Sequence, residues 1–337
     1  MTMRSVERHN PIVCVRSKPL ADSTWIGSVT YIGSILVIQP ELVSIVLLLA
    51  AFIIVPLGIR IVRRQADGTM SDRLLRTLSR WQLVAAMSLA AAVAVPVGWL
   101  SMILALPWMT VTWLIAVCGL MHFLRRPRKF ADINQLGFDV GMIFLAIGGI
   151  WTVFHRLGHW PGDFPPVIAQ LTAVHFHYAG FALPIIAGQV SALVNVRAVR
   201  LLVPAIAVSA MLLALGITYS PTLELWSALM LIVTAIFIGI LQIRFALRQS
   251  RPDVFTLLSI SGVALLSGMG LAAVYAVGEY LGALEHQAAY TGGEWIDVPL
   301  MIRLHGVTLA FGFVLTGMLG LAVRNGPARQ GSVDSPL

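Results

Sequence analysis

Within four residues the chain carries two imidazoles and a phenol, His175, His177 and Tyr178, with Gln170 and Thr172 just before them. The surrounding stretch, 166–191, is otherwise apolar. Polar side chains held inside an apolar run of that length are costly and tend to mark function. His175 lies about ten residues past Pro165, which at 1.5 Å per residue is roughly 15 Å into the run. That is close to the middle of a ~30 Å hydrocarbon layer. On a regular helix, residues two apart point about 200° away from each other, so His175 and His177 cannot face one site. Thr172, His175 and Tyr178, at steps of three, share a face. The spacing predicts that His175 and Tyr178 line a cavity while His177 bonds a neighbouring helix. The alternative is that both histidines serve as interhelical hydrogen-bonding residues in a packed bundle. Pro184 predicts a kink at the level of Gly180.

Other apolar runs add groups of the same kind. Arg303 and His305 stand near the start of 299–323, with His305 about ten ångströms deep. Trp151, His155 and Arg156 close the run 135–157, whose other end carries Asp139, read as the partner of a loop arginine. Tyr275 and Glu279, four apart, close the run 254–278, and Asp297 belongs to the acidic, aromatic connection 279–298. His122, beside Arg125 and Arg126, reads as an interfacial cation. Histidines, acids and phenols thus gather in the outer half of the spans, which predicts a cavity opening outward.

A desolvated imidazole or carboxyl has its pKa displaced and can exchange protons near neutral pH. An enzyme using acid–base chemistry on a lipophilic small molecule needs little more than a shaped apolar cavity with one placed acid. Isomerisation, epoxide opening and terpenoid-type cyclisation are reactions of this kind. His175 or Glu279 would donate the proton, His305 and Tyr178 would orient or stabilise charge, and His177 belongs to the same centre. His155, Trp151, Thr172, Tyr275, Arg303 and Asp297 would line the cavity. No cofactor is required for this chemistry. A secondary transporter is the second reading: acid and histidine chains relay protons, and prolines 56, 96, 107, 184 and 204 are compatible with broken helices. Neutral imidazoles also ligate metals or haem, through His155, His175 and His305. A bundle with a merely satisfied polar core is the remaining reading.

The elements that must position these groups follow from composition. Of 337 residues, 58% are hydrophobic and 11% charged, and the mean hydropathy is +0.86. Soluble domains carry about 25% charged residues, so a soluble enzyme, a disordered chain and a coiled coil are excluded. Nine runs are long enough to span a bilayer: 41–62, 81–99, 102–122, 135–157, 166–191, 199–219, 223–245, 254–278 and 299–323. A shorter one, Trp25 to Ile38, is read as a tenth span folding back at Pro40. The expectation is an all-α polytopic transmembrane bundle of nine or ten spans without a soluble domain. A basic tail (1–24) and a C-terminal tail (324–337) flank a single membrane domain (25–323).

The net charge of +8 reflects 23 Lys and Arg against 15 Asp and Glu. Most of the basic residues cluster on alternate connections: Arg60 to Arg80, Arg125 to Lys129, Arg197 with Arg200, Arg244 to Arg251, and Arg324 with Arg329. The positive-inside rule puts these in the cytoplasm, together with the C-terminus, in a cytoplasmic (inner) membrane. The charge therefore calls for no nucleic acid, and the absence of a Walker-type loop calls for no nucleotide. The expected partners are the bilayer and a lipophilic small molecule. Cys14 and Cys118 form no CxxC pair.

The stretch His175-Phe-His-Tyr-Ala-Gly-Phe-Ala-Leu-Pro-Ile-Ile-Ala-Gly188, followed by Arg303-Leu-His-Gly-Val-Thr-Leu-Ala-Phe-Gly-Phe313, resembles the YndJ-like bacterial membrane proteins. The similarity covers roughly residues 40–323. It implies a bacterial multi-pass membrane protein centred on His175, His177, Tyr178 and His305, and it implies no reaction. The family pattern has Asn where this chain has Leu309.

Overall fold

The computed structural model describes residues 21–63, 69–127, 130, 132–162, 164–191, 197–286 and 295–324. The expected tails lie outside the described residues, except where the first and last helices run into them. Cys14, Lys129, Arg329 and the stretch 287–294 also lie outside them.

All regular structure among the described residues is helical. In chain order the helices are α1 (Ala21–Ile38), α2 (Leu42–Arg63), α3 (Met70–Ala94), α4 (Trp99–Arg125), α5 (Ile133–Leu157), α6 (Pro166–Ser191), α7 (Val199–Tyr219), α8 (Pro221–Ala246), α9 (Pro252–His286) and α10 (Val298–Arg324). Eight of them, α2 and α4 to α10, are long and apolar enough to cross a membrane. The protein is an all-α polytopic helical bundle.

The expected span 81–99 is present as α3 but starts earlier and is more polar. Thr69 and Asp72 form a reciprocal N-cap that starts it at Met70, and Arg73, Arg76 and Arg80 occupy its first half. It also ends earlier. Val95, which precedes Pro96, is extended (φ −107, ψ 155), as the residue before a proline must usually be. Gly98 takes φ +147, which only glycine adopts readily. The chain thus turns within 95–98 and re-enters as α4 at Trp99. The short stretch Trp25 to Ile38 is part of the 18-residue helix α1, which packs on α2 and α3.

Helix α2 is the most enclosed of the eight. α6 lies along α5, whose Gly137, Gly141 and Gly148 let the backbones approach. A methyl group at 137 would strike the Pro184 carbonyl oxygen, and one at 141 would lie 2.7 Å from the Phe181 oxygen. Large apolar side chains such as Trp99, Trp226 and Val263 are exposed, as lipid-facing side chains are. Trp160 is half-buried and donates its indole N–H to Phe164 O at 3.1 Å.

Four π-helical segments interrupt the helices: Ala50–Ile54 in α2, Phe176–Ala182 in α6, and Ile302–Gly306 and Thr308–Leu315 in α10. The first, second and fourth touch one another in the interior. Pro56 and Pro184 follow the first two. A proline has no N–H to give the carbonyl four residues back, so Phe52 and Gly180 lose their usual donors. A wide turn just before the proline accommodates this. The kink expected at Gly180 is therefore realised as a π segment, a form often found at functional sites.

Candidate functional site

His175 is the last residue of α6 before its π segment. Its Nδ1 lies 2.8 Å from Leu171 O, one turn back, and its side chain is exposed although it stands mid-helix. A carbonyl oxygen only accepts, so in the neutral ring Nδ1 carries the proton and Nε2 keeps its lone pair. His305, on α10, is fixed in the same way across a helix interface. Its Nδ1 lies 2.9 Å from Gly268 O of α9. The two imidazoles stand near enough to feel each other's charge. Neither Nε2 has a hydrogen-bond partner among the described residues.

His177 follows the first half of this pattern and departs from the second. Its Nδ1 lies 2.7 Å from Ala173 O, but its Nε2 accepts the indole N–H of Trp108 on α4 at 3.0 Å. The rings stack with centroids 5.8 Å apart, and both side chains are fully buried. His177 thus bonds a neighbouring helix, as the spacing suggested, and has no free nitrogen.

Tyr178 corrects the expectation of a face shared with His175. It is buried, and its hydroxyl donates to Val46 O of α2 at 2.9 Å. The wide turn that begins at Phe176 rotates it away from the imidazole three residues before it. Thr172 is half-buried and donates to Ile168 O of its own helix at 2.8 Å. Gln170 also faces α2, donating to Glu41 Oε1 at 2.5 Å and to Ser44 Oγ at 3.3 Å. α6 therefore presents Gln170 and Tyr178 to α2, and His175 stands within electrostatic reach of His305 on α10.

The remaining candidates separate into local groups. His155 is half-buried beside Glu41 and Arg156. Arg156 is buried, with Nε on Ser101 Oγ at 2.6 Å and Nη2 on Ala92 O and Val95 O at 2.8 and 2.6 Å. It ties α5 to the α3–α4 turn. Trp151 meets Phe154 edge to face within α5. Asp297 caps α10, accepting from Leu300 N at 2.7 Å. Arg303 is exposed. On α9, Gly268, Tyr275 and Glu279 fall at steps of seven and four and so form one stripe. Tyr275 lies against Glu279, with Glu224 of α8 nearby. Along the helix, Tyr275 is about 10 Å and Glu279 about 16 Å from the carbonyl that holds His305.

At the other end of the bundle Asp139 pairs with Arg126, as anticipated. Burial lowers the Arg126 pKa and the Asp132 carboxylate partly offsets this. His122 lies 3.5 Å from Asp72. Among the described residues no three His, Cys, Asp or Glu side chains come together as a metal-binding group. His155 lies within electrostatic reach of Glu41, and His305 within that of His175. Sequence reasoning missed Trp108, Ser44 and the part played by Glu41. The one visible signal was an acid directly after Pro40 at the start of an apolar run.

A family model described as YndJ-like protein matches residues 45–313, from α2 into the last π segment. The chain belongs to the YndJ-like family. It is 26% identical over 308 residues to the uncharacterized membrane protein YndJ of Bacillus subtilis (strain 168). The match takes in 89% of this chain and 52% of that protein, so the chain spans about half the length of this curated relative. No solved structure matches.

Proposed function

We propose that this integral membrane protein is an enzyme that moves protons on a lipophilic small molecule, with His175 and His305 as its acid–base pair. The observation that carries this reading is the shared anchoring of the two rings. Each Nδ1 is held by a backbone carbonyl, and each Nε2 is left without a protein partner. Anchoring fixes tautomer and orientation, which an acid or base needs before its pKa matters.

The reaction requires the pair to take up one proton, and two neighbouring imidazoles resist a second. One ring is then an acid and the other a base. An allylic shift uses both: the imidazolium gives its Nε2 proton to one alkene carbon, and the neutral Nε2 removes a proton from the carbon flanking the double bond. The substrate leaves with its composition unchanged and the pair with its one proton, now on the other ring. Epoxide opening follows the same balance, with the proton delivered to the epoxide oxygen and another taken from an adjacent carbon. His177 and Tyr178 position α6 against α4 and α2. Glu279 and Tyr275, with Glu224 of α8 beside them, stand on the stripe that leads to His305 and exchange protons with the aqueous side.

The basic ends of α2, α4, α8 and α10 lie in the cytoplasm under the positive-inside rule, in a bacterial cytoplasmic membrane. The histidine pair then opens to the outer half. A haem or metal held between His175 and His305 is the second reading, since ligating imidazoles also anchor their far nitrogen on carbonyls.

The test compares a strain lacking the protein with strains restored by the wild type, His175→Ala or His305→Ala. Small molecules in separated cells and medium are measured by mass spectrometry. A precursor that accumulates without either histidine, with loss of an isomeric product, is the expected result. One unchanged compound redistributed between cells and medium would overturn the enzyme in favour of transport. A Soret band in purified wild type that His305→Ala lacks would overturn it in favour of haem.

A further inference from the structure

Away from the histidine pair, the densest basic cluster among the described residues lies between α2 and α3. Arg60 and Arg63 end α2, and Arg73, Arg76 and Arg80 recur along the first half of α3. The three on α3 are exposed, whereas Arg60 and Arg63 are half-buried. Arg63 Nη1 donates to Ser79 Oγ at 3.0 Å, which holds its guanidinium against α3. Arg76 and Arg80 stand close enough to Arg63 to repel it, and among the described residues the acid within reach is Asp72. That carboxylate is already engaged. It accepts the Thr69 backbone N–H at 2.9 Å and the Thr69 hydroxyl at 3.0 Å, and lies 3.5 Å from His122. Arg60 Nε is buried and has no hydrogen-bond partner among the described residues. Trp81 and Val84, the next exposed residues along α3, are apolar. Guanidinium groups here meet a surface of the kind that faces lipid tails.

Topological bias requires only that basic residues lie on one side; it does not require them to be held together. Like charges this close are unfavourable unless an anion sits among them. We propose that Arg63, Arg76 and Arg80, with Arg60 and Ser79, form a binding site for an anionic phosphate carried by a phospholipid headgroup. Guanidinium forks match phosphate oxygens, and basic pockets at the cytoplasmic ends of helices take such headgroups.

The test uses the full chain purified in a neutral detergent. Thermal unfolding is followed with phosphatidylglycerol, phosphatidylcholine or inorganic phosphate added, and native mass spectrometry counts retained lipid. Phosphatidylglycerol is expected to raise the melting temperature and remain bound, and phosphatidylcholine to do neither. Arg76→Gln and Arg80→Gln remove exposed side chains that make no hydrogen bond among the described residues, so both should fold. Each is expected to weaken phosphatidylglycerol binding about fivefold, while Arg248→Gln, exposed at the end of α8, leaves it unchanged. Equal weakening by Arg248→Gln, or none by the other two, would overturn the site. Equal protection by inorganic phosphate would overturn the lipid headgroup as its source.

Discussion

Trp108 on α4 donates its indole N–H to Nε2 of His177 on α6 at 3.0 Å, with the two rings stacked and fully buried. This bond closes the coordination of one histidine in a helix whose other histidine is left open. Trp108→Phe keeps the ring contact and removes the donor, stranding a buried nitrogen. A loss of about 1–3 kcal/mol is expected, read as a lower melting temperature in detergent. An unchanged melting temperature would show that the pair contributes nothing to packing.

His175→Ala is expected to behave in the opposite way. The side chain is exposed, and its one hydrogen bond is to its own helix, so stability should move by no more than about 0.5 kcal/mol. Turnover should fall by a factor of roughly 10²–10⁴. Loss of the folded protein at the membrane would reassign His175 to packing.

Arg156→Ala removes the group that satisfies Ser101 Oγ, Ala92 O and Val95 O together. Its bonds are to buried partners and charge-assisted, so about 3 kcal/mol or more should be lost. Arg156→Lys should not restore it, because an ammonium cannot span three acceptors in a fixed fork. Full recovery with lysine would mean that charge alone is required.

Gly148→Ala would place a methyl 2.7 Å from His177 Nδ1 and 3.2 Å from Ala173 O. Neither atom can yield without breaking the bond between them. A cost of about 1–3 kcal/mol is expected, together with disturbed Trp108 fluorescence, because the stacked ring must move with His177. Unaltered indole emission would contradict this packing.

The helical class and most span positions were legible because membrane spans announce themselves by length and hydropathy, which need no knowledge of neighbours. α3 was read short because arginines occupy its first half. The opposed directions of His175 and His177 followed from helical spacing. Tyr178 did not, because its direction depends on a π turn that no residue spacing reveals. Trp108 was invisible for another reason: its partner is 69 residues away, and only the packing of α4 against α6 joins them. The stripe of Gly268, Tyr275 and Glu279 was half legible. The phenol and the acid stood out, whereas the carbonyl that holds His305 carries no side-chain signature.

The π segment of α6 has a consequence for how the two ends of that helix can change. One residue added to a helix of fixed ends rotates everything beyond it by about 100°. The half bearing His175 and the half bearing Gly188 therefore keep separate angular phases. The first sets the direction of His175, while the second seats Gly188 against Gly137 of α5. The proposed chemistry and this anchorage thus keep separate angular settings on one helix.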